Sequence, residues 1–477
     1  MVDLSRGGAP LDGPTREDPL AREWSEVVGG PLGTRARRHR WWTPVRVLLV
    51  LVTLTFAMGM LQKNSCAQQS WLNGETRYTH MCYSDLPYLY SGRGFAERAW
   101  PYSDDATTRE RYPQVMEYPV GISYWAYGTA VIAQAIGGEY DAAARAQIPS
   151  DQLFGDHAVE RESTLFIVVN AVGFALLVLL TTWLLAGVDR RRPWDATWFA
   201  VSPVLALTAL INWDLLAVAL VAAALWTWAR DRPLATGLLI GLGTATKLYP
   251  LFLLGGILVI CVRQRRWGDL GAASAATAAG WVALNLPALL TGPTEWKVFW
   301  TFNQERGPDL GSIWLVMQQV AGRGISADAV NLGSELFFAV WCLLVAFVGW
   351  RARRTPSLAQ LGFLIVAGFL LVNKVYSPQY VLWLLPLAVL ARPRWRDQLI
   401  WQATEIVYFC SVWWFLDGDL APAAGGDPGF YWLAIWVRMA GELYLIAMVV
   451  RDIRRGTPDV VTPPPRLRRP APVAASG

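Results

Sequence analysis

Apolar residues come along this chain in long, nearly unbroken runs, not at the spaced positions of an amphipathic surface element. The runs lie near 44–62, 163–187, 195–211, 213–229, 234–248, 249–263, 270–291, 334–350, 357–373, 378–391, 398–416 and 430–450. Many are roughly 18 to 22 residues long, enough at 1.5 Å per residue to cross ~30 Å of hydrocarbon. The pattern predicts an all-α polytopic membrane protein with about 12 transmembrane helices in a domain spanning 44–450. Two long polar stretches, 63–161 and 292–332, interrupt the runs as first and second large loops. Residues 1–43 and 451–477, rich in Gly, Pro and charge, read as disordered tails.

Composition agrees with the pattern. The chain is 54% hydrophobic and only 17% charged, whereas soluble domains carry about a quarter charged residues. Its 26 Trp suit rings that sit between an apolar and a wet phase. Together these exclude a disordered chain, a disulfide-rich toxin and a nucleic-acid binder. No cleavable signal is read, because the first apolar run follows a long polar leader without a small-residue cleavage pattern.

The net charge of +5 resides in short clusters between the runs: Arg35–Arg40, Arg190–Arg192, Arg230 with Arg232, Arg263–Arg266, Arg351–Arg354, Arg392–Arg396 and Arg451–Arg455. Arginine-rich short loops mark the cytoplasmic side. With twelve spans every cluster falls on one side, so both termini are expected in the cytoplasm and the protein in the plasma membrane. The stretch Tyr118–Gly137 is apolar enough to be a thirteenth span, but a crossing there would send all later clusters outward. It is therefore expected as an interfacial helix, 118–137, within the first outer loop. The four lysines, Lys63, Lys247, Lys297 and Lys374, all fall at or near the opposite, outer ends of the runs.

Cys66 and Cys82 share that first outer loop, in an oxidising compartment. Both a disulfide and two free thiols fit the sequence. Cys261, Cys342 and Cys410 lie within runs and read as packing residues.

Ionisable and amide residues also gather at the outer ends. These are Asp85, Asn212 with Asp214, Lys247, the Asn303-Gln304-Glu305-Arg306 segment, and Asn373-Lys374-Val375-Tyr376-Ser377-Pro378-Gln379-Tyr380. Such a set around one cavity suits attack on a phosphate-activated group carried by a lipid. Lys374 and Arg306 would neutralise the phosphate, and a carboxylate would act as general base. Plainer roles compete. Asp214 and Lys247 also fit a structural ion pair, Arg306 and Glu305 a solvated loop pair, and Tyr380 an aromatic belt. Asp104-Asp105 reads as a solvated pair. Asp85 competes with several other outer carboxylates for the base.

The run NWDLLAVALVAAALWTWARDRPLATGLLIGLGTATKLYPLFLL, the segment FNQERG…GSIW and the run NKVYSPQYVLWLLPLAV resemble glycosyltransferase family 87. This family comprises actinobacterial, polyprenol-phosphate-mannose-dependent mannosyltransferases of the GT-C superfamily, and the resemblance covers roughly 45–450. It implies a GT-C-like fold with juxtamembrane helices in the first outer loop. It also implies inverting transfer of a sugar, mannose in this family, from a polyprenyl monophosphate to an acceptor hydroxyl of a glycolipid or glycan of the cell envelope. Carried over, Asp85 is the general base and Lys374 and Arg306 hold the donor phosphate. Asp214, Lys247, Asn303, Tyr376 and Gln379 then line the sugar pocket. No cofactor and no metal is expected, since no second carboxylate pairs with Asp85. The first loop is longer than the family's usual one, which leaves the acceptor open. The competing reading is a transporter or flippase of a polyprenyl-linked sugar, with Glu335, Glu405, Arg438 and Glu442 as its charged residues within the bundle.

Overall fold

The computed structural model describes residues 41–456 apart from 69–70, 72–75, 114–115, 139, 191 and 421–426. Of the expected tails 1–43 and 451–477, residues 1–40 and 457–477 lie outside the described residues, as do the Arg35–Arg40 cluster and Arg191, while 451–455 continue the helix Gly429–Arg455. Among the described residues every regular element is helical.

The main helices are α1 (Pro44–Ala67), α2 (Leu86–Gly92), α3 (Val120–Gly137), α4 (His157–Val188), α5 (Pro203–Thr208), α6 (Leu215–Trp228), α7 (Pro233–Thr244), α8 (Leu253–Gln264), α9 (Trp267–Thr291), α10 (Pro293–Glu305), α11 (Ile313–Ala321), α12 (Ala327–Arg351), α13 (Leu358–Val372), α14 (Val381–Ala391), α15 (Trp395–Asp417) and α16 (Gly429–Arg455). Local chemistry sets many of the starts. Pro44 occupies the first turn of α1 behind the Thr43 cap. Asp156 caps α4 by accepting from Val159 N–H at 3.0 Å. Ser357 and Gln360 form a reciprocal capping box on α13.

Six helices, α1, α4, α9, α12, α15 and α16, are long and apolar enough to cross a membrane, at 23 to 32 residues each. The twelve-span expectation is met only in part. The runs behind α6, α7, α8, α13 and α14 form helices of 11 to 15 residues, covering roughly 16–22 Å. The run 195–211 breaks into a 3-10 turn, the four-residue helix Thr197–Ala200 and α5, with Ser202-Pro203 at the break. Of these short pieces α6, α13 and α14 pack inside the bundle, whereas α7 and α8 turn Leu234, Leu238 and Leu258 outward. Every residue of α14, and all but two of α13, are buried. Irregular backbone is tolerated at such depth where protein covers it or where it lines a polar cavity. The long helices wrap this centre. α12 turns Leu332, Leu336, Val340 and Leu343 outward, a stripe suited to lipid contact.

Helix α3 runs antiparallel along α4 and does not lie alone in an interface. Gly137 packs against Glu162, while Thr129 and Trp125 meet Asn170 further along α4. Its start is tied to the turn after α7 by Gly121 N–H donating to the Ala245 carbonyl at 2.8 Å.

The arginine clusters meet one another at one end of the bundle. Arg230 donates to the Gly187 carbonyl at 2.9 Å, Arg266 pairs with Asp231 at 3.2 Å, and Arg263 donates to the Gly349 carbonyl at 2.9 Å. Arg392 pairs with Asp397 at 2.7 Å and also with Asp452. The helices that carry these clusters have their polar turns at the opposite end, around a single cavity.

Candidate active site

That cavity has a volume of about 870 Å³ and is lined by residues from both long loops and from the turns between the central helices. Asp85, Lys247, Asn303, Arg306, Lys374 and Gln379 all line it. They come from four separate stretches of sequence, and the fold brings them together.

Asp85 is anchored from three directions. The Cys66–Cys82 disulfide, S–S 2.02 Å, ties the segment before it to the end of α1. Lys63 on α1 donates to the Tyr83 carbonyl at 2.9 Å. The Asp85 N–H donates to the Ile211 carbonyl at 2.8 Å, and Ser84 Oγ reaches the same oxygen at 3.3 Å. Asp85 sits where an aspartate would ordinarily cap α2, yet its backbone is helical and its side chain makes no cap. The carboxylate is instead turned into the cavity, where it accepts from the Tyr118 hydroxyl at 2.7 Å. Burial raises its proton affinity above that of an ordinary aspartate, against the opposing pull of Tyr118, Tyr83 and the Lys247 charge. The result is a carboxylate more basic than one in water.

Next to it, Lys247 Nζ lies 2.9 Å from Asp214 Oδ1 and 4.8 Å from the Tyr118 ring centroid. Asp214 is fully buried and does not line the cavity; its other oxygen accepts from Trp383 Nε1 at 2.8 Å. The structural ion pair is thus realised. Lys247 is the member that faces the lumen, and Asp214 holds it from behind.

The second group of cations sits across the lumen. Lys374 donates to the Asn303 carbonyl, to the Arg306 carbonyl at 3.1 Å and to Asn331 Oδ1 at 2.5 Å. All three acceptors are neutral. None of the three neutralises the ammonium, and burial, with the nearby Arg306 charge, lowers its proton affinity against the opposing pull of Glu335. Arg306 pairs with Asp309, Nε to Oδ2 3.0 Å, and not with Glu305 as one sequence reading had it. A type of loop closure, with Arg306 at the end of α10 and Asp309 three residues on, favours that partner because Glu305 is still helical. Gln379 lines the wall with its Oε1 buried and unpartnered.

Tyr376, expected in the sugar pocket, is instead buried behind the wall, where its hydroxyl donates to Glu405 Oε2 at 3.0 Å. The loop turns its neighbours Lys374 and Ser377 toward the lumen and Tyr376 away from it. Asp105, of the acidic pair in the first loop, caps the short helix Ala106–Arg111 by accepting from Thr108 N–H at 2.9 Å. Among the described residues no three of His, Cys, Asp and Glu gather into a metal-sized group.

Sequence reasoning missed Tyr118 and Asn331. Tyr118 was visible only as the start of an apolar stretch, and nothing in its spacing announces a partner 33 positions earlier. Asn331 lies in the first turns of a long apolar helix and has no motif around it. Glu335, offered as support for a transporter, lines the same cavity as Asp85.

Six membrane-length helices, a buried core of shorter ones and a charged cavity at one end fit a multi-pass membrane protein with an open polar site. Residues 158–373 match the family model described as Glycosyltransferase family 87, so this stretch carries a domain of that family. The matched stretch contains Asp214, Lys247, Asn303 and Arg306, begins after Asp85 and ends one residue before Lys374. No curated protein and no solved structure matches the chain.

Proposed function

We propose that the protein is an inverting glycosyltransferase that moves a sugar, mannose being the first to test, from a polyprenyl monophosphate donor to a hydroxyl of a glycolipid or glycan acceptor on the extracytoplasmic face. Asp85 removes the acceptor proton as the hydroxyl oxygen attacks the anomeric carbon. The bond from that carbon to the phosphate oxygen breaks, and polyprenyl phosphate departs with the bonding pair. Lys374 and Arg306 stabilise the negative charge that collects on the departing phosphate, while Lys247, Asn303 and Gln379 contact the sugar. The two cations supply the positive charge that the departing phosphate needs.

The observation that carries the reading is the meeting of Asp85 with Lys374 and Arg306 in one cavity, from positions more than two hundred residues apart. The family domain supplies the reaction class. The grouping of the arginine clusters at the far end of the bundle supports an extracytoplasmic site, with both termini inside. A transporter or flippase is less well supported, since Arg438 is paired with Glu442 and Glu405 is held by Tyr376 and Trp401, so these buried charges already have fixed partners.

The test is transfer from radiolabelled polyprenyl-phosphate mannose in membranes carrying wild-type protein, Asp85→Asn or Asp85→Ala. A general base contributes about 10²- to 10⁴-fold, so both variants are expected to fall by at least two orders of magnitude at equal folded amount. Wild-type turnover in both would remove Asp85 from the role.

A further inference from the structure

Behind the cavity wall, ionisable side chains of α15 and α16 form one buried assembly. Arg438 and Glu442, one turn apart on α16, pair at 3.0 Å, and Glu405 on α15 accepts from Tyr376 at 3.0 Å and from Trp401 Nε1 at 3.2 Å. The Arg438 guanidinium lies over the Tyr376 ring, 3.7 Å from its centroid. Arg438 and Glu442 are fully buried and Glu405 is 2% exposed. Buried charged groups are costly, so their placement calls for a role, and beyond α15 and α16 Glu405 and Arg438 reach two loops.

Those loops are the ones that carry the donor-side cations. The segment after α10 and the segment after α13 run side by side, with Asp309 N–H donating to the Lys374 carbonyl at 2.8 Å and Tyr376 N–H to the Leu310 carbonyl at 2.7 Å. Tyr408 on α15 donates its hydroxyl to the Tyr376 carbonyl at 2.5 Å. Tyr431 on α16 accepts from the Gly311 N–H at 2.9 Å, and Arg438 Nη2 lies 3.5 Å from the Gly311 carbonyl. Gly311 has φ +73°, and a Cβ there would strike both the Tyr408 hydroxyl and the Tyr376 carbonyl. The approach is that close because the two segments are clamped onto α15 and α16. Lys374 is two residues from Tyr376, so the clamp fixes where its ammonium can reach.

We infer that Tyr376, Tyr408, Glu405 and Arg438 are positioning residues, which lock the paired segments 309–311 and 374–376 so that Lys374 and Arg306 stand ready for the donor phosphate. The inference rests on the donor reading above and assigns these residues no contact with substrate. It also gives the buried charges of α15 and α16 a static task.

The experiment measures equilibrium binding of polyprenyl phosphate to purified protein in nanodiscs, alongside thermal unfolding. Tyr376→Phe and Tyr408→Phe each delete one oxygen, and Glu405→Gln keeps the shape of its side chain, so all three are chosen to fold. Each is expected to weaken polyprenyl phosphate binding by about 3- to 10-fold, the range one buried hydrogen bond commands. In a Lys374→Ala background the same changes are expected to weaken binding by a clearly smaller factor than in the wild type, because only the part that acts through Arg306 is left. Wild-type affinity in all three variants, with Lys374→Ala weakened, would overturn the clamp and leave the donor reading standing. Full additivity with Lys374→Ala would overturn it as well. Absence of any polyprenyl phosphate binding by the wild type would overturn the donor reading and the inference with it.

Discussion

Replacing Tyr118 by Phe tests the chemistry of Asp85 without touching the carboxylate. The Tyr118 hydroxyl donates to Asp85 Oδ2 at 2.7 Å, and a donor bonded to a carboxylate favours its ionised form. Phe keeps the ring against Trp213, at 5.7 Å between centroids, and keeps the Lys247 ammonium over its face. Only the hydroxyl is lost. A hydrogen bond to a charged group is worth about 1.5–3 kcal/mol, and about 1.4 kcal/mol corresponds to one pH unit. The sign follows: burial already holds the Asp85 proton affinity up, Tyr118 restrains it, and removing that restraint lets the carboxyl keep its proton to higher pH. Because the base must be ionised, the acid limb of kcat/KM for sugar transfer should move upward by roughly one to two pH units in Tyr118→Phe. Activity on the alkaline side of that limb should stay within a few-fold of wild type. The assay is the pH dependence of transfer from polyprenyl-phosphate mannose at low donor concentration. An acid limb that stays in place, or moves downward, would refute the reasoning.

Other consequences can be read in simpler experiments. Asp214→Asn strips the buried Lys247 ammonium of its partner at 2.9 Å and should destabilise the protein by about 3–5 kcal/mol, seen as a clear fall in Tm; an unchanged Tm would show that Lys247 finds its compensation elsewhere. Replacing Cys66 and Cys82 together by Ser opens a loop closed across 16 residues, worth about 3 kcal/mol on the chain-entropy estimate. Reductant should lower the Tm of the wild type toward that of the double variant and leave the variant unmoved. Gly237→Leu forces a side chain onto the Ala273 backbone where α7 crosses α9; folded yield should collapse, whereas Gly268→Leu, which meets open space, should leave yield unchanged.

The large features were legible because they rest on length and charge. Unbroken apolar runs have few structural outcomes, and arginine clusters mark helix ends, so the placement of Asp85, Lys247, Arg306 and Lys374 around one lumen follows from the order of runs and turns. The Cys66–Cys82 pair was likewise readable as two cysteines in one loop. What escaped depends on rotation and tertiary distance. Tyr376 and Lys374 are two residues apart, yet one faces the core and the other the lumen, because backbone pairing with Leu310 sets their rotation and no periodicity operates in so short a turn. Arg306 chose Asp309 over Glu305 for a similar reason: the helix end at Glu305 fixes one side chain while the loop brings the other back. The break in 195–211 was missed because apolar content alone does not report a helix interrupted at Ser202-Pro203.

The bonding of Lys374 has a consequence for turnover. An ammonium has three hydrogens to give, and here all three point at neutral oxygens of Asn303, Arg306 and Asn331. What reaches a visiting anion is then a field without a directed grip. A ligand held in that way gains attraction as negative charge builds and is not tethered by a geometry it must break on leaving. In the proposed reaction such a residue would favour release of a spent phosphate, and an arginine in its place, with its rigid fork of donors, would hold the product longer.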